Sequence, residues 1–523
     1  MLIINNFYRS VKHPYSDKYF ILIIFSIGCL VRGIPELVAY PYPIGSDVIN
    51  YYIPTVRFFD TIWPTILHQF PTYAFLLHII NIASGLTPHI TVITAAVGVF
   101  GIFSVSVFLV AKKILKITTL ESTYLTVFVI FQTAVLMTAA SNHRDIFALS
   151  ALLFTFILIH RNQSNARWQT IVCALILSAI TVSSDGMIAI LFILSLIVYS
   201  FIARTKIVIL CTIVAIGFFT VTILPNENNL HNLFRLNLTH QTDSGRTYSK
   251  YYIESNKYYH PTNLLIMYIV VNGMLIPAGV YGIYRILKKR SHSILLVFPV
   301  LITVPLSLSW ILFPENTTLV ANRWTTIVGI FLSILTAYGI IELIKRQKTY
   351  SVNKKITIGS SVLALYLIIG IGYAVMPHGQ PFILFDVTKD YLRTLSTVTM
   401  QPDKKTYDKL LITLSWINNN TEENSIIVGQ RQWRGYMNLT LEGQRDWKDF
   451  GLSQYTAEEF FKVFDNWLVD HKRDRYIADY GSTYVVTPKT YFINYQSNNL
   501  NYTKVYSDGY NVFKLQFIDK TRN

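Results

Sequence analysis

The stretch Met187-Ile188-Ala189-Ile190-Leu191-Phe192-Ile193-Leu194-Ser195-Leu196-Ile197-Val198-Tyr199-Ser200-Phe201-Ile202-Ala203 contains no charge and no strongly polar side chain. Ser183-Ser184-Asp185-Gly186 precedes it, and Arg204 and Lys206 follow. A membrane-crossing helix needs roughly 20 predominantly apolar residues, and polar residues bracket such a helix where it meets water. Comparable runs lie near 19–38, 88–111, 120–139, 146–160, 169–184, 207–224, 262–285, 294–313, 325–343 and 356–376. The expectation is therefore a polytopic α-helical membrane protein with about eleven transmembrane helices. Composition agrees: 52% of the 523 residues are hydrophobic and 14% charged, with a mean hydropathy of +0.39, against a charged fraction of about 25% in soluble domains.

The net charge of +16 would suggest a nucleic-acid partner if the basic residues formed one surface. They do not. Residues 1–376 hold 27 Lys and Arg against 12 Asp and Glu, while residues 377–523 hold 18 against 17. The excess sits in short clusters between apolar runs, such as Lys112/Lys113, Arg204/Lys206, Lys288/Lys289/Arg290 and Lys345/Arg346/Lys348. That is how cytoplasmic loops look, and nucleic acid drops out as a partner. With a cytoplasmic N-terminus the alternation places 19 Lys and Arg on the inner side and 7 in outer loops before residue 377. Thr72–Gly85 follows Trp63-Pro64 and reads as an interfacial or re-entrant helix, because counting it as a span would invert every later loop. The first apolar run is too long for a signal-peptide core and lacks a cleavage pattern, so it is expected to remain as the first span.

Residues 377–523 change composition and read as an extracytoplasmic α/β domain, with residues 1–376 as the membrane domain. Helices are expected at Tyr407–Asn418 and Ala457–His471, strands at Ser425–Val428 and Thr483–Val486, and a strand or hairpin near Val505–Phe517. Sequons at Asn237, Asn316, Asn419, Asn438 and Asn501 map outside and Asn162 inside. Cys29, Cys173 and Cys211 all fall inside apolar runs, and no disulfide is expected.

The polar residues capable of chemistry collect in the outer loops. Asp47, in Pro43-Ile44-Gly45-Ser46-Asp47-Val48-Ile49-Asn50-Tyr51-Tyr52, suits either a helix N-cap or a general base acting on a hydroxyl at the membrane surface. Asn142-His143-Arg144-Asp145 occupies a tight turn between spans, where charges are costly unless paired or facing a cavity. A structural Arg144–Asp145 interaction would explain it. So would a phosphate head group, since a guanidinium matches phosphate oxygens. Asp185 serves as a turn signal. Arg323, in Asn322-Arg323-Trp324, is either an anchor beside an aromatic-belt residue or a clamp on a lipid phosphate. Arg235, Arg246, Lys250 and Lys257 lie among tyrosines in the long loop Pro225–Pro261 and either cover a lipid-linked substrate or lie on the surface. Arg32 and Glu36 stand four residues apart in the first span and suit a structural pair. No Gly-rich phosphate loop, Cys/His metal set or Ser-His-Asp constellation is visible.

The pattern resembles the GT-C class of integral membrane glycosyltransferases, especially archaeal members with an outer α/β domain. Gly45-Ser46-Asp47, with Tyr51 four positions after Asp47, amphipathic Val56–Leu67 and Pro71-Thr72-Tyr73, resembles the acidic first outer loop of that class. Arg144-Asp145 opening a span that ends in His160-Arg161 resembles its second outer loop, and Asn322-Arg323-Trp324 resembles its lipid-phosphate arginine. Leu414–Ser425 resembles the lead-in to the soluble domain of oligosaccharyltransferase catalytic subunits. There the chain departs from that family: Gln432-Trp433-Arg434-Gly435-Tyr436 replaces a WWDYG-type acceptor motif, and the paired-acid metal motif is missing.

The resemblance implies an inverting transferase for a polyprenyl- or dolichyl-phosphate sugar, acting in the cell envelope on a glycan, lipid or protein acceptor. Asp47 would be the catalytic base and Arg144, Arg323 and Arg246 the donor-phosphate ligands, with Tyr51, Asp145 and Asp185 as supporting loop residues. No cofactor is required, and a divalent metal lacks a motif. The rivals are a lipid-linked glycan transporter or flippase, an oligosaccharyltransferase-like enzyme, and a non-catalytic surface protein.

Overall fold

A computed structural model describes residues 16–39, 44–45, 47–67, 71–162, 167–223, 261–289, 292–312, 321–347, 354, 357–365, 368, 404–429, 437, 440–441, 445–448, 482–487 and 500–517. The chain divides into two compact units. One comprises Met1–Gly45 with Phe58–Thr397, the other Ser46–Arg57 with Val398–Asn523.

The first unit is helical throughout its described residues. In order it contains α1 (Ser16–Ala39), α2 (Phe59–Leu67), α3 (Thr72–Ser84), α4 (Pro88–Leu109, continued by a π-helical turn to Ile114), α5 (Thr119–Ile130), α6 (Thr133–Ser141), α7 (His143–Arg161), α8 (Trp168–Ser184), α9 (Gly186–Ala203), α10 (Lys206–Ile223), α11 (Pro261–Asn272), α12 (Ile276–Lys288), α13 (Phe298–Ser307), α14 (Ser309–Leu312) and α15 (Ala321–Arg346). Local chemistry sets many of the ends. Thr118 and Glu121 form a capping box at the start of α5, which satisfies two backbone donors that no helical carbonyl can reach. Gly85 ends α3 in the left-handed conformation at φ 64°, where a residue without Cβ is unstrained.

Seven helices among the described residues are long and apolar enough to cross a membrane, or eight if the bent pair α5–α6 is one span. Eleven were expected. α8 and Lys206–Thr222 are apolar but fall into the shorter class, and the run expected at 356–376 is described only in part. The bend of 61° between α5 and α6 interrupts the helical hydrogen bonds in apolar surroundings, where a freed carbonyl finds no water. Gln132, 3% exposed, donates its Nε2 amide to Phe128 O at 3.0 Å and satisfies one of them. α3, expected as an interfacial or re-entrant helix, has 13 residues. At 1.5 Å per residue it reaches about 20 Å, short of a hydrocarbon core of about 30 Å.

α12 and α15 cross backbone to backbone. A Cβ built on Gly339 would stand 2.1 Å from Ala278 O, and one on Gly282 2.1 Å from Leu335 O. Thr336 Oγ1 donates to Leu275 O at 2.8 Å across the same contact. Small residues at a membrane helix interface permit such approach. Gly339→Ala gains about 1 kcal/mol of helix propensity but forces the helices apart, and overpacking costs about 1–3 kcal/mol or more. The net expectation is a lower midpoint for thermal unfolding in detergent. A midpoint equal to or above that of the wild type would show that the crossing yields freely.

The second unit contains a sheet ordered β2-β1-β3-β5-β4, from β1 (Ile426–Val428), β2 (Asp446–Lys448), β3 (Thr483–Thr487), β4 (Leu500–Tyr506) and β5 (Asn511–Phe517). β1 runs parallel to β2 and β3, while β5 is antiparallel to β3 and β4. α16 (Lys404–Asn420) buries Leu410, Leu414 and Ile417. Thr413 Oγ1 accepts from Tyr510 N at 2.9 Å and fixes this helix to the β4–β5 turn. The helix and strands expected at 407–418, 425–428, 483–486 and 505–517 are all present, and β2 was not anticipated. The helix expected at Ala457–His471 lies outside the described residues.

Glu422, just beyond α16, accepts from Tyr484 Oη at 2.8 Å, Ser482 Oγ at 3.0 Å and Lys514 Nζ at 3.2 Å. Burial pushes its carboxyl up, but a backbone hydrogen bond at Glu422 itself and these three donors outweigh that and hold it down at about 2. A depressed carboxylate stabilises the fold above its unfolded pKa of about 4.3, and that stability is lost as pH falls through the folded value. Because the side chain is 45% exposed, the contribution is expected to stay within about 1 kcal/mol. The thermal advantage of wild type over Glu422→Gln should therefore shrink between pH 5 and pH 2. A gap that is constant across that range would remove the carboxylate from this role.

Candidate functional site

Three helix N-termini converge in the first unit, and each contributes a charged residue. His143-Arg144-Asp145 is the first turn of α7, Asp185 is the single residue between α8 and α9, and Arg323 lies in the first turn of α15. Unsatisfied N–H groups and the helix dipole give each such end a partial positive charge, which favours anions. Asp185 meets that demand directly: its Oδ1 accepts from Met187 N at 2.9 Å and Ile188 N at 3.1 Å, capping α9.

The remaining oxygens of the two acids face the arginines. Arg323 Nη2 donates to Asp145 Oδ2 at 2.7 Å and Oδ1 at 2.9 Å, and reaches Asp185 Oδ2 at 3.4 Å. Arg144 Nε lies 3.1 Å from Asp185 Oδ2 and 3.9 Å from Asp145 Oδ1. The carboxylates are 2% and 1% exposed, whereas the side chains of Arg144 and Arg323 are 36% and 25% exposed. The acids thus form the floor and the guanidiniums the open face. A buried carboxylate is tolerated because it is paired, and each guanidinium is held by more than its own flexible stem. Such an arrangement presents two oriented cations to an incoming anion. α3 adjoins it: Thr72 and Ser183 share a hydroxyl hydrogen bond, and Tyr73 packs against Phe147 with ring centroids 5.8 Å apart.

Several expectations are refined by this geometry. The Arg144–Asp145 interaction is the longest of the four pairings, and the chief partner of Asp145 is Arg323. Asp185 is more than a turn signal, since it caps a helix and joins both arginines. Trp324 is 5% exposed, so it is buried within the protein and does not belong to an aromatic belt. Arg32 and Glu36 do pair, and they bring in His143, whose place in the motif had suggested no role. Arg246, with Arg235, Lys250 and Lys257, lies outside the described residues.

Asp47 belongs to the second unit. Gly45, at φ 104°, makes the anticipated turn two residues earlier, in a conformation that glycine adopts without strain. Asp47 precedes the π-helical turn Val48–Tyr52 in right-handed helical geometry and makes no side-chain cap hydrogen bond. The N-cap reading therefore does not describe its carboxylate, which is half-buried. Tyr51 is 60% exposed. Among the described residues no group of three or more His, Cys, Asp and Glu gathers into a metal-binding set.

No protein-family model matches the chain, and no curated protein matches it in sequence. Solved structures do. ArnT from Cupriavidus metallidurans in the apo state aligns over 96% of this chain and 98% of its own, with a TM-score of 0.52 and 10% identity. The same protein bound to undecaprenyl phosphate aligns over 94% and 97%, with a TM-score of 0.53 and 10% identity. Arabinofuranosyltransferase AftD from Mycobacteria aligns over 95% of this chain and 40% of its own, with a TM-score of 0.48 and 11% identity. The likeness to ArnT spans nearly the whole of both chains and is one of fold. The architecture expected from the sequence, a multi-pass helical membrane domain followed by a small α/β domain, is the architecture of this protein, and its fold is shared with ArnT.

Proposed function

We propose that this protein is a membrane glycosyltransferase that moves a sugar from a polyprenyl- or dolichyl-phosphate carrier to an acceptor hydroxyl with inversion. The observation that carries this reading is the pair Arg144 and Arg323, oriented by buried Asp145 and Asp185 where three helix N-termini meet. The fold shared with a protein that binds undecaprenyl phosphate supports a lipid-phosphate donor. In this mechanism the acceptor oxygen attacks the anomeric carbon and passes its proton to the Asp47 carboxylate. The bond from that carbon to the phosphate oxygen breaks, and the lipid phosphate departs with the electron pair. Arg144 and Arg323 stabilise the charge growing on it, with Arg246 as a further donor ligand from the long loop. Base work and leaving-group stabilisation are thus divided between separate groups, and direct displacement needs one carboxylate, unlike the paired acids of glycosidases.

The clusters of Lys and Arg support a cytoplasmic N-terminus and a C-terminal domain on the outer side. The acceptor is a glycan, lipid or protein presented on that outer side, and no metal is required. The test is transfer from a panel of radiolabelled polyprenyl-phosphate sugars by the purified protein in lipid. Protein-dependent appearance of labelled acceptor supports the reading. Movement of the donor across the bilayer without transfer, over a broad acceptor panel, would favour the transporter reading.

A further inference from the structure

The loop-proximal end of α1 carries buried polar groups that the transfer chemistry does not use. Arg32 is 4% exposed. Its Nε donates to Ala139 O at 2.9 Å, in the last turn of α6, and its Nη2 donates to Glu36 Oε1 and lies 3.1 Å from His143 Nε2. Glu36, also 4% exposed, accepts from Ile44 N through Oε2 at 3.3 Å. A guanidinium has no lone pair to offer, so the ring nitrogen facing it is the acceptor, and His143 carries its proton on Nδ1. A buried ion pair is weak evidence for stability, because apolar side chains of similar volume often serve as well. What this cluster has is reach. It joins the end of α6, the first residue of α7, and the residue before the Gly45 turn.

Those three points open the two loops that the transfer reading uses. His143 directly precedes Arg144 and Asp145, and Ile44 stands three residues before Asp47. We propose that Arg32, Glu36 and His143 are positioning residues: a buried tie that holds the α6–α7 corner and the Ile44–Gly45 turn in register, so that Arg144 and Asp145 meet Asp185 and Arg323. This inference rests on the lipid-phosphate reading of that quartet. Ala139 O is the last piece of the tie, since Arg32 supplies it with a donor just where α6 ends and the chain turns into α7. The tie acts through the quartet and touches no reacting atom.

The experiment titrates undecaprenyl phosphate onto the full-length protein in lipid nanodiscs, with thermal unfolding recorded on the same samples. His143→Leu removes the acceptor facing Arg32, whereas His143→Gln supplies an amide oxygen in its place. Arg32→Met combined with Glu36→Gln removes both buried charges together, so that neither is left uncompensated if the single changes fail to fold. His143→Leu and the double variant are expected to raise the Kd by about tenfold, within the range for residues that modulate a site without touching its ligand, with His143→Gln returning it close to wild type. A tie that is only structural would lower the unfolding midpoint and leave the Kd of the folded protein unchanged, which overturns the proposal. Equal defects in His143→Gln and His143→Leu overturn the acceptor role. If wild type binds no undecaprenyl phosphate, or binds it with an affinity that Arg323→Gln leaves unchanged, the lipid-phosphate reading fails and this inference with it. Wild-type binding with unaffected tie variants removes this inference alone.

Discussion

Arg323→Gln is expected to lose transfer by about 10²–10³ in kcat, the magnitude found when one preorganised donor is withdrawn from a developing oxyanion. It should also destabilise the protein by about 3 kcal/mol, because the substitution strands a buried carboxylate. Asp145 is 2% exposed, and both of its oxygens accept from Arg323 Nη2, while Arg144 lies farther off, at 3.9 Å. The two losses can be separated. Adding Asp145→Asn removes the stranded charge and should restore most of the stability without restoring transfer. Arg323→Lys keeps the charge but not the planar fork, so its stability should lie near wild type while its turnover falls. Full turnover in Arg323→Lys, or recovery of transfer in the double variant, would show that Arg323 serves the fold and not the phosphate.

Asp47→Asn is expected to abolish measurable transfer while leaving folding intact. Removing a general base costs about 10²–10⁴ in rate, and asparagine matches aspartate in size and polarity but cannot take the proton. Asparagine keeps the shape and polarity of this half-buried side chain, so the stability change should remain within about 1 kcal/mol. Undecaprenyl phosphate affinity provides the control, since the base acts on the acceptor and not on the carrier. Retained turnover in the panel assay would sink the base assignment, and a parallel loss of lipid-phosphate affinity would make Asp47 a binding residue.

The two assignments differ in how far the sequence supported them. Helices were legible because an apolar run announces itself locally: α9 was expected at 187–203 and runs Gly186–Ala203. Their ends were less so. α7 was expected from residue 146 but starts at His143, because a His-Arg-Asp triplet reads as loop when its charges have no visible partners. The convergence of charges was not legible at all. Asp145 and Arg323 are separated by 178 residues and Asp185 and Arg323 by 138, and hydropathy says nothing about which helix ends meet. Only the neighbours Arg144 and Asp145 suggested a pair in the sequence, while Asp185 read as a turn and Arg323 as an anchor or a phosphate clamp. Only packing shows that one aspartate caps a helix with one oxygen and holds two arginines with the other. β2 escaped for a different reason: Asp-Trp-Lys has one apolar residue in three, and no period can be read from that.

The quartet carries two formal negative and two formal positive charges, so before any ligand arrives it is electrically balanced. Four side chains whose charges balance cast a weaker field beyond the Debye length of about 8 Å at physiological salt than an unpaired basic cleft does, and so add little to the capture of anions from bulk solution. A carrier with its tail in the bilayer has no need of such attraction. On the lipid-phosphate reading, its encounter with the site is a search in two dimensions, in which the hydrocarbon chain fixes the depth of the phosphate and the arginines have only to recognise it on arrival. On that reading, selection among anions is left to the membrane itself.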